Sequence, residues 1–289
     1  MNEEIGFGAL PDLPDSRDYI AEIPMGAVSV DWDVEYRLPE PPTFDQRSSD
    51  SCVACAWSYY HWQLTGKTFS KRDLFCRIFQ QYGAYIRDGG LKLIKEGQAD
   101  NKEVKDPSRP TMQNMRDSSG TKEEFRVDDI QSNSFKLQDQ TIDGVAWGIK
   151  EYKGVVFGVV GSNEGWQDKL NPRPPMLGEK TWGHALYAFG YHKHDGVKCI
   201  IAKSSWSATN EHHIKENYFQ ALDATFSAWT LIPKEQQMDN EFVQTINNKG
   251  KVGVVIYADT VDNYKFLCKT YLLEPKIKPD GSIETDLTV

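Results

Sequence analysis

The chain has 289 residues, 39% of them hydrophobic and 12% aromatic, enough to bury one large core and too apolar for a disordered chain. A formal charge of −9 with scattered basic residues leaves no concentrated cationic surface, which excludes a general nucleic-acid binder. No run of about 18 apolar residues marks a membrane span, and the opening MNEEIGFGALPD has neither the basic start nor the apolar stretch of a secretory signal. Five cysteines cannot all pair within the chain. The expectation is free thiols in a reducing compartment, with a cytoplasmic location.

Residues 1–40 contain LPDLPDSRDY and RLPEPPTFD, rich in Pro and Asp, and read as extended chain. From Ser51 the pattern changes. SCVACAWSYYHWQL is apolar and aromatic at helical spacing, which predicts a mostly buried helix with Ser51 as N-cap and Cys52 in the first turn. A second helix is predicted through SKRDLFCRIFQQYG with Ser70 as its cap, and a third near IRDGGLKLIKEG, stopping at Gly97. The stretch 99–140 is polar and reads as loop with short elements.

The second half is built differently. GVVFGVV (154–160), HALYAFGYH (184–192), VKCIIAKSSW (197–206) and TFSAWTLI (225–232) are short, β-branched or aromatic, and bounded by Gly, Asn or Asp, as strands are. Prolines make 171–183 a loop. After Pro233, the strand-like KVGVVIYAD and then KFLCKTYLLEP suit a hairpin adding to the main sheet. A helical half followed by a strand-rich half argues for an α+β fold rather than alternating βαβ units. The expected organisation is an extended segment over 1–40 and a main domain over 41–235. Within that domain the helical half covers about 50–140 and the β half about 141–235, and 236–289 form an appendage.

Chemistry centres on DQRSSDSCVACAW, where Cys52 and Cys55 stand as C-x-x-C. By default such cysteines are small buried side chains. A redox pair would follow a strand in a βαβ setting, which is absent here. A zinc site needs two further ligands, and His192, His194, His212 and His213 are poorly spaced for that. A nucleophilic cysteine instead needs a helix N-terminus, a histidine, a group to orient it, and oxyanion donors. Gln46 lies six positions before Cys52 and has a carboxamide to fold back. His184, preceded by Gly183, opens an apolar strand, although a lone histidine there is by default a core residue. Ser204 and Trp206 are expected on a second strand, which would bring a hydroxyl and an indole to the imidazole.

Gln46, Ser51-Cys52, His184-Ala185 with Gly190-Tyr191, and Lys203-Ser204-Ser205-Trp206 stand in the order of the papain-like cysteine peptidases, which the sequence resembles over about residues 6–232. DQRSSDSCVACA, LPDLPDSRDY, GAYIRDGGLKLIKEG and GVVFGVVGSNEGW resemble the bacterial branch in particular. The resemblance implies a helical and a β subdomain with a cleft between them. It implies Cys52 as thiolate nucleophile, His184 as acid and base, Gln46 with the Cys52 N–H as oxyanion hole, and Trp206 as a shield. It implies no cofactor and no metal, a peptide or protein as substrate, and a segment like 1–40 that blocks the cleft. Only Cys52 has the six-residue offset from Gln46, so Cys55 is expected to be a buried helix residue.

Three positions depart from that pattern. Ser204 stands where an asparagine usually orients the histidine, Asp50 stands where glycine precedes Ser-Cys, and SATNEHH replaces a glycine-rich stretch. Asp50 beside the nucleophile raises the thiol pKa or recognises a basic substrate residue. The alternative expectation is therefore a papain fold with weakened or no activity, serving as a structural protein of a bacteriophage particle and joining an assembly through 236–289.

Overall fold

The computed structural model describes residues 8–21, 30–127, 130, 132–206 and 210–233, with the backbone of 243–248 and 251–256. The first half holds short strands β1 (Ala9–Leu10), β2 (Ile20–Ala21) and β3 (Tyr36–Arg37), then helices α1 (Cys52–Thr65) and α2 (Lys71–Ile78). Strand β4 (Ala84–Tyr85), helix α3 (Ile86–Glu96), strand β5 (Gln98–Ala99), helix α4 (Met112–Arg116) and strand β6 (Arg126–Val127) follow. The second half holds β7 (Ser132–Leu137), α5 (Ile142–Tyr152), β8 (Val155–Ser162), β9 (Thr181–His194), β10 (Val197–Lys203), β11 (Glu211–Lys215), α6 (Glu216–Gln220) and β12 (Thr225–Pro233).

Helix α1 is apolar on all sides, which only a core helix is, and residues 52–61 are buried without exception. Gly66, left-handed at φ 71°, returns its N–H to the Trp62 carbonyl and ends the helix. The expected Ser51 cap is not made. Ser51 has φ −90° and ψ 18° rather than the extended backbone of a capping residue, and its Oγ pairs with Ser49 Oγ at 2.8 Å. Ser70 does cap α2, accepting from the Asp73 N–H at 3.1 Å, and α3 ends before Gly97 as expected. Gly89 lets α3 approach α1 closely, since a Cβ there would lie 2.3 Å from Trp57 Cδ1.

The helices are tied together by Asp73, whose side chain is fully buried. It pairs with Arg77 at 2.8 Å and Arg126 at 3.2 Å and accepts from the Ala99 N–H at 3.1 Å. Asp73→Ala leaves the Ala99 N–H without its acceptor and two largely buried guanidinium groups with only the part-exposed Glu96 carboxylate, and is expected to cost about 3 kcal/mol. Urea unfolding of the variant checks this.

The β half is one eight-stranded sheet in the order β11-β10-β9-β8-β12-β7-β2, with β3 also on β9. β9 is central, antiparallel to β8 and β10. Its Ala185, Tyr187 and Phe189 join Cys52, Val53, Trp57 and Tyr60 of α1 in one core cluster. The four predicted strands are present. Helix α5 was not anticipated, because Gly144 and Gly148 lower its intrinsic helix propensity; Thr141 caps it, accepting from the Gly144 N–H at 3.4 Å. No described helix is long and apolar enough to cross a membrane.

The chain divides into two compact units, with residues 232–289 in the second. There β13 (Val243–Asn248) and β14 (Lys251–Ile256) pair antiparallel as a two-stranded sheet of their own. This hairpin pairs KVGVVI with the preceding VQTINN, which is not predicted as a strand from the sequence, and forms a sheet of its own rather than adding to the large one. KFLCKTYLLEP lies outside the described residues.

Candidate active site

The turn that delivers Cys52 runs from Gln46 to Ser51. Arg47 and Asp50 both adopt φ 48°, a left-handed conformation that Asp tolerates better than most residues. Ser49 Oγ donates to the Gln46 carbonyl at 2.7 Å. The turn is stitched to the chain after β10: the Gln46 N–H donates to the Ser205 carbonyl at 2.8 Å, and Ser205 Oγ donates to Gln46 Oε1 at 2.5 Å. With its oxygen turned to Ser205, the fully buried carboxamide presents its nitrogen the other way.

Cys52 is the first residue of α1, where the helix dipole favours thiolate. Burial wins instead. The sulfur is fully enclosed, and desolvation pushes the thiol up to about 12. The backbone N–H groups of Ala185 and Gly8 point at it and pull the other way, while the Asp50 carboxylate adds to the rise. Cys55, one turn on, is raised by burial as well and lies 3.8 Å from Ser51 Oγ. Both thiols are free.

His184 sits on β9 opposite Val159, beside the Ala185 N–H that reaches Cys52. Its ring is fully buried and stacks on Trp206 with centroids 3.9 Å apart. Burial, with His212 nearby, holds it well below the ordinary histidine range. Neither ring nitrogen has a hydrogen-bond partner among the described residues, the Cys52 sulfur included. The expectation that Ser204 bonds this imidazole is therefore not met. Ser204 Oγ instead lies 2.8 Å from His212 Nε2 and accepts from the Trp206 N–H at 3.2 Å. Trp166 stands edge-on to Trp182, Trp206 and His212, closing an aromatic box around the histidines.

The N-terminal segment crosses this site. β1 pairs in parallel with β4, and the Gly8 carbonyl accepts from the Ala84 N–H at 2.8 Å. A Cβ on Gly8 would lie 1.9 Å from the Asp50 carbonyl oxygen, and one on Gly183 would lie 2.3 Å from the Ala9 carbonyl oxygen. The segment thus threads between the Cys52 turn and the start of β9, where only glycines leave room. Asp12 pins it: its carboxylate accepts from Trp229 Nε1 at 2.7 Å and from the Arg87 N–H at 3.1 Å.

Of the residues singled out from sequence, the fold gathers Gln46, Asp50, Ser51, Cys52, Gly183, His184, Ser204 and Trp206 around one locus. Gly8 and His212 were missed. His212 had a readable signal, since it alternates with the apolar Ile214 on β11, and that face is buried. Gly8 had none, because its neighbour Asp50 is distant in sequence.

No protein-family model matches the sequence, and no curated protein matches it. Solved structures do resemble it in fold. Xylellain, a cysteine protease from Xylella fastidiosa, superposes with TM-score 0.60 at 19% identity, over 79% of this chain and 96% of that one. Procathepsin B S9 from Trypanosoma congolense gives 0.58 at 10% identity, over 80% and 87%. The cysteine protease and lectin-like domains of Cwp84, a surface-layer-associated protein of Clostridium difficile, give 0.56 at 13% identity, over 80% and 57%. The fold of this chain is that of the papain-like cysteine proteases.

Proposed function

We propose that the chain is a cysteine peptidase held latent by its own N-terminal segment, with Cys52 as nucleophile. The observation that carries this reading is the Gly8–Leu10 segment wedged between the Cys52 turn and the start of β9, so close that a Cβ on Gly8 would lie 1.9 Å from the Asp50 carbonyl oxygen. A peptide backbone seated against a cysteine at a helix N-terminus occupies the position a substrate backbone would take. Two of the similar structures, procathepsin B S9 and Amb a 11 from ragweed in its proform, are by name proenzymes.

In the working site Cys52 attacks the peptide carbonyl as thiolate, and His184 takes the thiol proton and passes it to the leaving amine. The acyl thioester then falls to water activated by the same imidazole. The Gln46 nitrogen and the Cys52 N–H hold the oxyanion. Trp206 covers the imidazole face, keeping water from its hydrogen bonds. The substrate is a peptide or protein chain.

Labelling by an epoxide thiol probe tests the assignment. It is expected to survive Cys55→Ala and to vanish with Cys52→Ala; labelling indifferent to both would sink it. With the segment in place the thiol is protonated through neutral pH, because its pKa stands at about 12. Alkylation by iodoacetamide should therefore climb with pH up to that value. Once the segment is released and water enters, the climb should move to lower pH. Asp50→Gly removes a left-handed non-glycine residue and a carboxylate beside the thiol. It is expected to raise both the thermal midpoint and the labelling rate at neutral pH.

A further inference from the structure

Four residues on from Gly8, the N-terminal segment sets Asp12 in a seat that holds it at three points. Its backbone N–H donates to Ser227 Oγ at 2.9 Å. Its Oδ1 accepts from the Arg87 N–H at 3.1 Å, in the first turn of α3, and its Oδ2 accepts from Trp229 Nε1 at 2.7 Å. Trp229 is 1% exposed and Ser227 7%, so packing fixes the groups that make the seat. Burial raises the Asp12 carboxyl, while the Arg87 N–H, the indole, Ser227 and the Arg87 charge all pull it down.

Strand β12 is bent to build this seat. Phe226 pairs with Gly158 and Trp229 with Val156, so the register shifts between them. Ser227 lies in that bulge at φ 52°, a left-handed conformation that costs a non-glycine residue. Bulges re-aim side chains, and here the two that flank Ala228 both bond Asp12. The Arg87 guanidinium adds charge, with Nη1 3.4 Å from Asp18 and 3.5 Å from Asp15 of the same segment. When the segment lifts, the indole N–H, the Arg87 N–H and the guanidinium lose these acceptors together. Buried donors left unpaired are costly, so the vacated seat is complementary to another carboxylate. It discriminates against an amide, whose NH2 would have to face one of the two N–H donors.

We infer that this seat is a specificity site for an aspartate in the substrate, held by Ser227, Arg87 and Trp229 as they now hold Asp12. The substrate class is then a peptide with an acidic residue about four positions from the one packed on the Asp50 turn. The inference rests on the peptidase reading, because it takes the segment to lie where a substrate lies.

The test uses the full chain carrying Gly8→Ala and Asp12→Ala, in which the strand is lifted and the seat vacant. Given a mixed-sequence decapeptide library, it should cut peptides with Asp at one position about tenfold faster than those with Asn there, the worth of a charge-assisted over a neutral hydrogen bond. The Gly8→Ala chain that keeps Asp12 should show no such preference, since its own carboxylate fills the seat. Trp229→Phe, which keeps a ring in the core but removes the N–H, should remove most of the preference. Cleavage without an Asp preference, a preference equally strong with Asp12 in place, or one untouched by Trp229→Phe would each overturn the inference and leave the peptidase reading standing.

A titration that needs no cleavage gives the second readout. Sodium acetate should shift the Trp229 indole ¹H–¹⁵N resonance saturably in the Asp12→Ala full chain and leave it in place in the unaltered chain. Acetamide at matched ionic strength should shift neither. An acetamide shift equal to that of acetate, or no acetate shift, would overturn the seat itself. A library left wholly uncut would sink the peptidase reading, and the titration would still decide whether the seat takes a carboxylate.

Discussion

Gly8→Ala is expected to convert the latent chain into one whose Cys52 reacts readily. The added methyl would sit 1.9 Å from the Asp50 carbonyl oxygen, a backbone atom of the turn that also fixes Cys52. Overpacking of that kind costs about 1–3 kcal/mol, and lifting the strand away from Asp50 relieves it. The equilibrium between seated and lifted strand therefore shifts by roughly five- to 150-fold. Probe labelling of Cys52 should accelerate by a similar factor, while the rest of the domain, anchored through Asp12, Trp229 and Arg87, keeps its fold. A methyl that leaves the rate unchanged would mean the strand does not guard the sulfur. Cutting the chain ahead of Pro11, which keeps Asp12 and its bonds to Trp229 and Arg87, should reproduce the effect without adding any atom.

His184→Ala in the Gly8→Ala chain is expected to lower peptide cleavage by about a thousandfold or more, as loss of a catalytic base does where nucleophile and base act as a unit. Burial already keeps this ring uncharged at neutral pH, and its nitrogens lack other partners among the described residues. A base in that state accepts the Cys52 proton without first losing one of its own. Cys52→Ala should cost as much, and the double variant no more than either single one. Cleavage that persists in His184→Ala would assign the proton transfers elsewhere, and His212 would be the next group to replace.

The α+β division was legible because its signals are local. Aromatic and apolar residues at helical spacing over 52–64 can only make a core helix, and the β-branched runs around 155–162 and 197–203 can only make strands. Helix α5 escaped because two glycines dilute its helical signal. The resemblance to the papain-like peptidases, carried by the order and offset of short motifs, also made Cys52 rather than Cys55 the expected nucleophile and His184 and Trp206 its expected companions. What the chain order could not assign was the partner of each polar group. Ser204 stood ready for His184 by its position, yet its hydroxyl goes to His212, which arrives from a different strand after a turn whose course no local rule predicts. Gly8 reads as an unremarkable residue near the start, and comes against the Cys52 turn only once β1 pairs with β4 and meets Asp50. Sequence determined which side chains this protein has for its chemistry and the elements that carry them. The tertiary structure decided which of them hold hydrogen bonds with which, because those contacts join residues far apart in the chain, and burial then set how readily each gives up or keeps its proton.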